Sequence, residues 1–356
     1  MKRFLITFII LLILPLNVWA KEEGKAHIDV AFTIDNNYPL YTLLAINSIL
    51  ENNYSESDYT FYIVENNVTD KNKEMMRKFV EENHQKIEFI NVDTHIIDQG
   101  KNYFKFSGRI TSIAFARILL PDLLPNLDKV LYLDSDILVT TDLKPLFETD
   151  IRKYNAAMAE NIVEDNRALD LYRFKHGYYN SGVILMNLKK CRQDNSPQKM
   201  INFFRKNEAK FDFNKDDYDE FSIKPQKIYW LYPDQDLINI VWDGKIKKLD
   251  QKWNNQCLEG VSLLNPLEEG ILHYIGPSKP WTFKDKSSIY ILLYMDYWEN
   301  SKFVNYKYYH IYLKLKKDIK SVFNKKIKRY KKIAKYTLQG NINQPIFLLF
   351  YVEGDK

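Results

Sequence analysis

Residues 129–138, with the sequence KVLYLDSDIL, constrain this chain more than any other stretch. Residues 130–133 are a short apolar run with β character, and Asp134, Ser135 and Asp136 follow at its end. Because a buried strand of this kind delivers its last residues to the sheet edge at which open α/β folds bind ligands, we expect both carboxylates there. Residues two apart in an extended chain point the same way, so the two carboxylates can face one point.

Two carboxylates in that position, together with the phosphates of a substrate, would suit a divalent cation such as Mg²⁺ or Mn²⁺. The alternative is a strand that ends in an ordinary polar turn, since aspartate is a common turn residue. The Asp-x-Asp pattern by itself leaves both interpretations open, and the rest of the sequence has to decide between them.

Segments with strand and helix character alternate in the first third of the chain. Strands are predicted over residues 27–34, 59–64 and 86–92, and helices over residues 40–50 and 70–82. This alternation predicts an α/β fold with a parallel sheet. The first strand is not followed by Gly-x-Gly-x-x-Gly, and Gly-x-x-x-x-Gly-Lys does not occur. A phosphate ligand would therefore lack a glycine cradle, and a metal at the Asp pair could neutralise it instead.

The composition is that of a globular protein. The 356 residues, 46% of them hydrophobic and 27% charged, suit one large or two modest domains with a sizeable core. Cys191 and Cys257 are too few for a secreted disulfide scaffold and too far apart for a Cys-rich zinc site.

Positive charge is concentrated near the C-terminus. Residues 307–335 contain twelve Lys or Arg and one acid, a net charge of +11 in a chain of +5, so the remainder carries −6. Apolar residues follow a helical stripe over residues 314–337, which is typical of a basic amphipathic helix on an anionic membrane. A solvated helix packed on the body is the alternative. Nucleic-acid binding is not expected, because no recognised motif accompanies the charge.

Residues 1–20 begin with Lys2 and Arg3 and continue with an apolar run that Pro15 interrupts. The pattern predicts a cleavable secretory signal, with an uncleaved membrane anchor as the alternative.

An apolar helix is predicted over residues 106–120, with Pro121 and Pro125 breaking it before the Asp strand. It carries Arg109 and Arg117. Since Arg117 lies among Ala, Phe, Ile and Leu, we expect it to be partly buried and paired with an acid. An ordinary surface arginine is the alternative.

Three later segments carry further polar residues. Residues 178–187 read as an apolar strand entered through Asn180 and Gly182, which fits a plain turn or a backbone that approaches a ligand closely. Residues 233–242 open a helix with acids in its first turn, which can simply complement the helix dipole. Residues 271–281 form a short strand with His273, followed by a rigid loop that brings Lys279, a point charge suited to phosphate.

Six segments occur in the order seen in one known family. They are IDVAFTIDNNY, RITSIAFARILLP, KVLYLDSDILV, YYNSGVILMNL, YPDQDLIN and HYIGPSKPW. In these motifs the chain resembles glycosyltransferase family 8, and within it the bacterial lipopolysaccharide glucosyl- and galactosyltransferases, from about residue 28 to residue 298. The resemblance implies a single Rossmann-like nucleotide-binding domain with a mostly parallel GT-A sheet, a UDP-sugar donor, a requirement for Mn²⁺ or Mg²⁺, and retention of the anomeric configuration.

The resemblance also implies roles for individual residues. Asp134, Asp136 and His273 match the metal ligands of the family. Asp234 and Gln235 match the acidic and amide pair under the anomeric carbon, and they are the candidate catalytic residues. The substrate-binding residues implied are Asp35, Asn37, Tyr38, Arg117, Ser135, Glu160, Asn180, Gly182, Gly276 and Lys279.

Within that set, Asp35 and Asn37 resemble the uracil and ribose contacts, and Tyr38 the ring that stacks near the base. Gly276 and Lys279 match the loop that binds the diphosphate. Around the donor sugar, Arg117 resembles the neighbouring arginine, and Asn180 and Gly182 the sugar-binding turn. Glu160 stands where the family usually has aspartate.

The resemblance implies a hexosyltransferase that moves glucose or galactose from a UDP-sugar to a saccharide or glycolipid acceptor, such as lipopolysaccharide core or another glycan. We expect a catalytic domain over residues 26–283, a basic helical region over 284–340 and a tail over 341–356. The family favours the cytoplasmic face of the inner membrane, whereas a cleaved signal would export the protein. A haloacid-dehalogenase-like phosphotransferase and an inactive sugar-nucleotide-binding protein are the competing hypotheses.

Overall fold

The structure is a computed structural model, and it describes residues 25–92, 112–162, 174–207, 233–258, 268–276, 279–282 and 288–301. The predicted signal or anchor over residues 1–20, Arg109, and the basic stretch over residues 307–335 lie outside the described residues and stay predictions. In the described ranges, no helix combines the length and the apolar character needed to cross a membrane.

The described strands form one large and one small sheet. In chain order they are β1 His27–Asp35, β2 Asp58–Asn66, β3 Lys86–Asn91, β4 Val130–Leu133, β5 Ile137–Val139, β6 Ala156–Met158, β7 Val183–Met186, β8 Ile246–Lys248, β9 Asn255–Gln256 and β10 Ile271–His273. The large sheet has the order β3-β2-β1-β4-β7-β6-β8, and the small sheet has the order β5-β10-β9. Most neighbours in the large sheet are parallel, but β7 is antiparallel to both β4 and β6. The predicted α/β fold class is confirmed.

Helices connect the strands. The described α-helices are α1 Pro39–Glu51, α2 Asp70–Glu82, α3 Leu120–Leu123, α4 Lys144–Phe147, α5 Leu188–Gln193, α6 Ser196–Asn207, α7 Pro233–Val241 and α8 Ile289–Asn300, with 3-10 helices at Ser112–Leu119 and Gln251–Asn254. The first two begin and end close to the predicted bounds. The start of α2 is marked by Thr69, whose side chain accepts a hydrogen bond from the N–H of Asn72.

The large sheet is buried on both faces. In β4, Leu131 and Leu133 pack into one hydrophobic cluster, and Val130 and Tyr132 pack into another. Neighbouring residues of a strand point to opposite faces, so this strand is apolar along its whole length. A third cluster joins α8 to the small sheet, since Tyr290, Tyr294 and Trp298 lie with Leu138 and Tyr274. The start of the predicted C-terminal region therefore packs against the small sheet.

Two details differ from the sequence-based expectations. Residues 112–119 form a 3-10 helix, and α3 runs through Pro121 instead of ending before it. Proline fits the first turn of a helix, because no partner is needed there for its missing N–H. The strand predicted over residues 178–187 begins only at Val183. The preceding residues turn, and Tyr179 makes an isolated antiparallel bridge with Glu160.

Candidate active site

Asp134, Asp136 and His273 form a compact group of potential metal ligands. One ligand atom from each residue lies within 4.8 Å of the others. The Nε2 atom of His273 is 3.6 Å from Oδ2 of Asp134 and 3.4 Å from Oδ1 of Asp136. Two carboxylates and one imidazole are donors that suit a divalent cation of the Mn²⁺ type. The chemistry of this donor set therefore fits a divalent metal, and these three side chains would hold it.

The group forms where the large sheet passes into the small sheet. Asp134 and Asp136 lie in the connection between β4 and β5. The N–H of Asp134 donates to the carbonyl of Gly182 over 2.8 Å, and the N–H of Tyr274 donates to the carbonyl of Asp136 over 2.9 Å. The antiparallel pairing of β10 with β5 sets His273 beside the start of β5. Backbone contacts with two distant segments thus fix the positions of the ligands.

Lys279 brings a positive charge to the edge of this group. Its ammonium group donates hydrogen bonds to Oδ2 of Asp136 and, over 2.8 Å, to the carbonyl of Tyr274. Burial alone would raise the pKa of Asp136, but the charge of Lys279 lowers this pKa well below its usual value. Asp136 is therefore ionised at neutral pH and available as a ligand.

Arg117 is buried, with 6% of its surface exposed, and it links two carboxylates. Its Nη2 atom is 3.1 Å from Oδ1 of Asp134, and its Nε atom is 3.2 Å from Oδ2 of Asp234. The guanidinium also donates to the carbonyl of Ser181 over 2.9 Å and lies 4.8 Å from the ring centre of Tyr132. The prediction that this arginine is buried and paired is confirmed, and a surface location is excluded.

Asp234 and Gln235 lie at the start of α7, and both are buried. Burial raises the pKa of Asp234, Arg117 opposes this effect, and the charge of Asp134 adds to it, so that the pKa stays above its usual value. The helix dipole favours the ionised form at this end of the helix. Because Arg117 contacts both Asp234 and Asp134, it holds the carboxylate of Asp234 near this candidate metal ligand.

Both polar atoms of the Gln235 amide make hydrogen bonds. Its Oε1 atom accepts from the N–H of Ser181 over 2.9 Å, and its Nε2 atom donates to the hydroxyl of Tyr178 over 3.0 Å. That hydroxyl in turn donates to Oδ1 of Asp236 over 2.5 Å. The sequence reasoning did not single out Tyr178. For the acids of the first turn of α7 the local pattern indicated only a dipole effect, and the catalytic role of Asp234 was implied by the family resemblance, because the pairing of two distant motifs is not visible in a local pattern.

The predicted base-binding residues lie at the end of β1 and directly after it. The carboxylate of Asp35 accepts from the N–H of Asn37 over 2.8 Å, which closes a turn at the strand end. The pKa of Tyr38 is raised to about 12, first by burial and then by the charges of Asp136, Asp35 and Asp134. Tyr38 is thus close to the ligand group and remains protonated at neutral pH.

The hydroxyl of Ser135 lies 2.8 Å from that of Thr42 in α1. Since Thr42 donates its own hydrogen to the carbonyl of Tyr38 over 3.0 Å, Ser135 donates to Thr42. The connection between the two carboxylates is thereby tied to the helix that follows the predicted base-binding turn.

Three other predicted substrate-binding residues lie in a turn, in a loop and at the edge of the sheet. The Oδ1 atom of Asn180 accepts from the N–H of Gly182 over 3.0 Å, which closes the turn before β7. Gly276 has φ +83°, a left-handed conformation that favours glycine in the loop after β10. The carboxylate of Glu160 pairs with Lys248 over 2.6 Å on the exposed edge of the sheet, and its role as a sugar contact stays a prediction.

The mixed α/β sheet, with the carboxylate–histidine group at its edge, has the GT-A-like fold. The chain belongs to glycosyltransferase family 8, since the family model described as "Glycosyl transferase family 8" matches residues 29–285. The family resemblance seen in the sequence motifs is therefore confirmed.

Several curated proteins and solved structures are similar to this chain. General stress protein A of Bacillus subtilis is 25% identical over 268 residues, which cover 71% of this chain and 86% of that protein. The lipopolysaccharide 1,2-glucosyltransferase of Escherichia coli is 25% identical over 279 residues, covering 73% and 75% of the two chains. The crystal structure of the galactosyltransferase LgtC, in complex with donor and acceptor sugar analogs, superposes with a TM-score of 0.62 at 21% identity, covering 80% and 99%. At this identity the structural likeness concerns the fold alone.

Proposed function

We propose that this protein is a retaining, metal-dependent hexosyltransferase that moves glucose or galactose from a UDP-sugar to a saccharide acceptor. The observation that carries the proposal is the meeting of Asp134, Asp136 and His273 at one sheet edge, with Lys279 beside them. Two of the similar proteins agree with both sugars, since one is a glucosyltransferase and the other a galactosyltransferase.

In such a transfer UDP departs with additional negative charge on its phosphates. Asp134, Asp136 and His273 would hold the cation, and Mn²⁺ or Mg²⁺ supplies Lewis-acid stabilisation of those phosphates when bound. Lys279 contributes a second positive charge, for which its ammonium group is already next to Asp136. Gly276 allows the loop after β10 to turn towards this edge.

The residues near the predicted anomeric centre favour attack by the acceptor on the face that the leaving group vacates. Gln235 is a poor nucleophile, because an amide has no anionic oxygen and its Oε1 already accepts from the N–H of Ser181. The carboxylate of Asp234 is paired with Arg117, which makes it less nucleophilic. Either side chain could instead stabilise an oxocarbenium-like centre by its charge or dipole.

For donor recognition we retain the roles implied by the family. Asp35 and Asn37 would contact uracil and ribose, since the turn that joins them is already formed. Tyr38 would stack near the base, and Ser135 would support the adjacent connection. Around the sugar the proposed contacts are Arg117, Glu160, Asn180 and Gly182.

The acceptor is proposed to be a saccharide or glycolipid, such as lipopolysaccharide core or another glycan. The E. coli relative is named for lipopolysaccharide, and LgtC was crystallised with an acceptor sugar analog. We place the reaction at the cytoplasmic face of the inner membrane, with the basic stretch over residues 307–335 on the anionic surface.

A donor screen tests the function. Purified full-length protein is incubated with UDP-glucose or UDP-galactose and Mn²⁺, and released UDP is measured with and without saccharide acceptors. EDTA should abolish UDP release and Mn²⁺ should restore it. Asp134→Ala and Asp136→Ala should abolish transfer, and His273→Ala should lower it at least ~10-fold. Asp128→Ala is a matched control, because the Asp128 side chain is 72% exposed and pairs with Lys189 away from the group.

The competing hypotheses give different results in the same assay. Full turnover in EDTA, or in Asp136→Ala, would remove the metal from the mechanism. Release of inorganic phosphate without dependence on a UDP-sugar would indicate a phosphotransferase. Binding of UDP without turnover, across both donors and a range of acceptors, would indicate an inactive sugar-nucleotide-binding protein.

A further inference from the structure

Asn254 lies behind the imidazole of His273, on the side away from the carboxylates. It is the last residue of the 3-10 helix Gln251–Asn254 and is fully buried. Its Oδ1 atom is 2.9 Å from Nδ1 of His273, and its Nδ2 atom is 2.9 Å from Oδ1 of Asn180. Neither the charge pattern nor the family motifs single out this asparagine.

One backbone group, the N–H of Gly182, determines the direction of the three hydrogen bonds that lead from Gly182 through the two asparagines to His273. The N–H of Gly182 can only donate, so the Asn180 atom that it meets at 3.0 Å is the carbonyl oxygen. The amide of Asn254 meets that same oxygen and must present its NH₂ group there. Its own oxygen is then left for His273, and an oxygen acceptor requires a hydrogen on Nδ1.

We propose that Asn254 is a positioning residue that holds His273 in the tautomer with hydrogen on Nδ1. The lone pair of Nε2 then points at Asp134 and Asp136. This inference rests on the proposed function in so far as the lone pair serves a metal, because a neutral imidazole binds a metal through its unprotonated nitrogen. The other tautomer would direct an N–H at the same place and exclude the cation.

The arrangement also connects two parts of the proposed active site. Asn180, which we assign to the sugar-binding turn, accepts from both Gly182 and Asn254. The orientation of the histidine ligand is therefore set by the same turn that would contact the donor sugar. A carboxylate at position 254 could accept from Nδ1, but it could not donate to Asn180.

The tautomer can be measured without donor or metal. The chain has six histidines, so long-range ¹H–¹⁵N spectra of full-length protein labelled at histidine are tractable, and His273→Gln assigns the signal. At alkaline pH, where imidazoles are neutral, the wild type should show the Nδ1–H form of His273. Asn254→Leu removes the acceptor and should give a mixture of tautomers. If that variant does not fold, Asn254→Ser is measured in the same way, with the same expected result.

Metal affinity is the second measurement. Titration with Mn²⁺ alone, followed by electron paramagnetic resonance, should show binding weakened by roughly 10- to 100-fold in Asn254→Leu. Asn155→Leu is the matched control. Asn155 is also fully buried, and its NH₂ group donates to Asp194 and Ser196. This control should lose stability without changing the tautomer of His273 or the binding of Mn²⁺.

An Nε2–H form of His273 in the wild type would overturn the proposal, and so would an unchanged tautomer in the folded Asn254 variant. A third outcome separates the two proposals. If His273 has the Nδ1–H form in the wild type and not in the Asn254 variant, the positioning role stands. If the wild type then binds no Mn²⁺, the proposed metal-dependent function fails.

Discussion

The backbone of Gly182 lies directly against the imidazole ring of His273. A β-carbon at position 182 would stand 2.6 Å from Nε2 and 2.7 Å from Nδ1, closer than β-carbons approach other atoms. The ring can occupy its place beside the two carboxylates only because residue 182 has no side chain. The glycine that the family assigns to the sugar-binding turn thus also makes room for a predicted metal ligand.

Gly182→Ala should displace His273. We expect overpacking to cost about 1–3 kcal/mol of unfolding free energy, measured in urea, and Mn²⁺ affinity to fall by roughly 10- to 100-fold. The double variant Gly182→Ala/His273→Ala is the control, since removal of the ring should restore stability but not metal binding. Wild-type Mn²⁺ affinity in Gly182→Ala would contradict the close approach.

Tyr178→Phe should release the amide of Gln235. The phenol is held protonated by burial, which raises its pKa well above the usual value, so it both accepts from Gln235 and donates to Asp236. We expect turnover with the UDP-sugar to fall by roughly 10- to 100-fold, because the amide loses its fixed orientation, with little change in KM for the donor.

The neighbouring Tyr179→Phe provides the control for this variant. The hydroxyl of Tyr179 donates to the carbonyl of His176 and touches neither Gln235 nor Asp236 in the described hydrogen bonds. Steady-state kinetics of the two variants should therefore differ in kcat. Equal activities would argue against a role for the orientation of Gln235.

Acid should destabilise the protein in part through Glu65 at the end of β2. Burial tends to raise the pKa of this carboxyl, but hydrogen bonds from Lys73, Asn91 and the N–H of Val68 lower it overall. A carboxyl whose pKa is lower in the folded protein contributes stability above its unfolded pKa of about 4.3, and this contribution is lost as the pH falls through the lower folded value.

Glu65→Gln should therefore cost about 2 kcal/mol at neutral pH, because a hydrogen-bonded buried charge is lost, and the difference from wild type should shrink below about pH 4. Urea unfolding at a series of pH values measures this. Glu74→Gln is the control, since Glu74 lies on α2 with its side chain 72% exposed. A difference from wild type that persists at low pH would assign the effect of Glu65→Gln to packing.

The basic stretch over residues 307–335 should bind anionic membranes, a prediction that rests on the sequence alone. Each basic residue near such a surface contributes roughly 1 kcal/mol, and the stretch has twelve of them. Deletion of residues 314–356 should release the protein from vesicles that contain phosphatidylserine and leave UDP-sugar hydrolysis mostly intact. Sedimentation with vesicles measures this, with neutral phosphatidylcholine vesicles as the control. Equal binding by the full-length and shortened proteins would refute it.

The sequence by itself determined the elements with a long periodic pattern. β1, α1, β2, α2, β3 and the start of α7 occur within about two residues of the predicted bounds, because apolar spacing over many residues reflects which face is buried. β5, β6, β8 and β9 have only two or three residues each. No periodic pattern can arise over such a length, and these strands exist only because a neighbouring strand pairs with them.

In the candidate site, too, some features follow from the local sequence and others exist only in the tertiary structure. The residue types of Asp134 and Asp136, and their common direction at a strand end, follow from the local chain. That His273 meets them was implied by the family resemblance and not by the local chain, and the tertiary structure brings its Nε2 atom to 3.4 Å from Asp136. Only the tertiary structure decided that Lys279 pairs with Asp136 and that Glu160 turns to Lys248. Local backbone preferences act between near neighbours in the sequence, whereas the partner of a buried charge is chosen by strand pairing and packing between segments far apart in the chain.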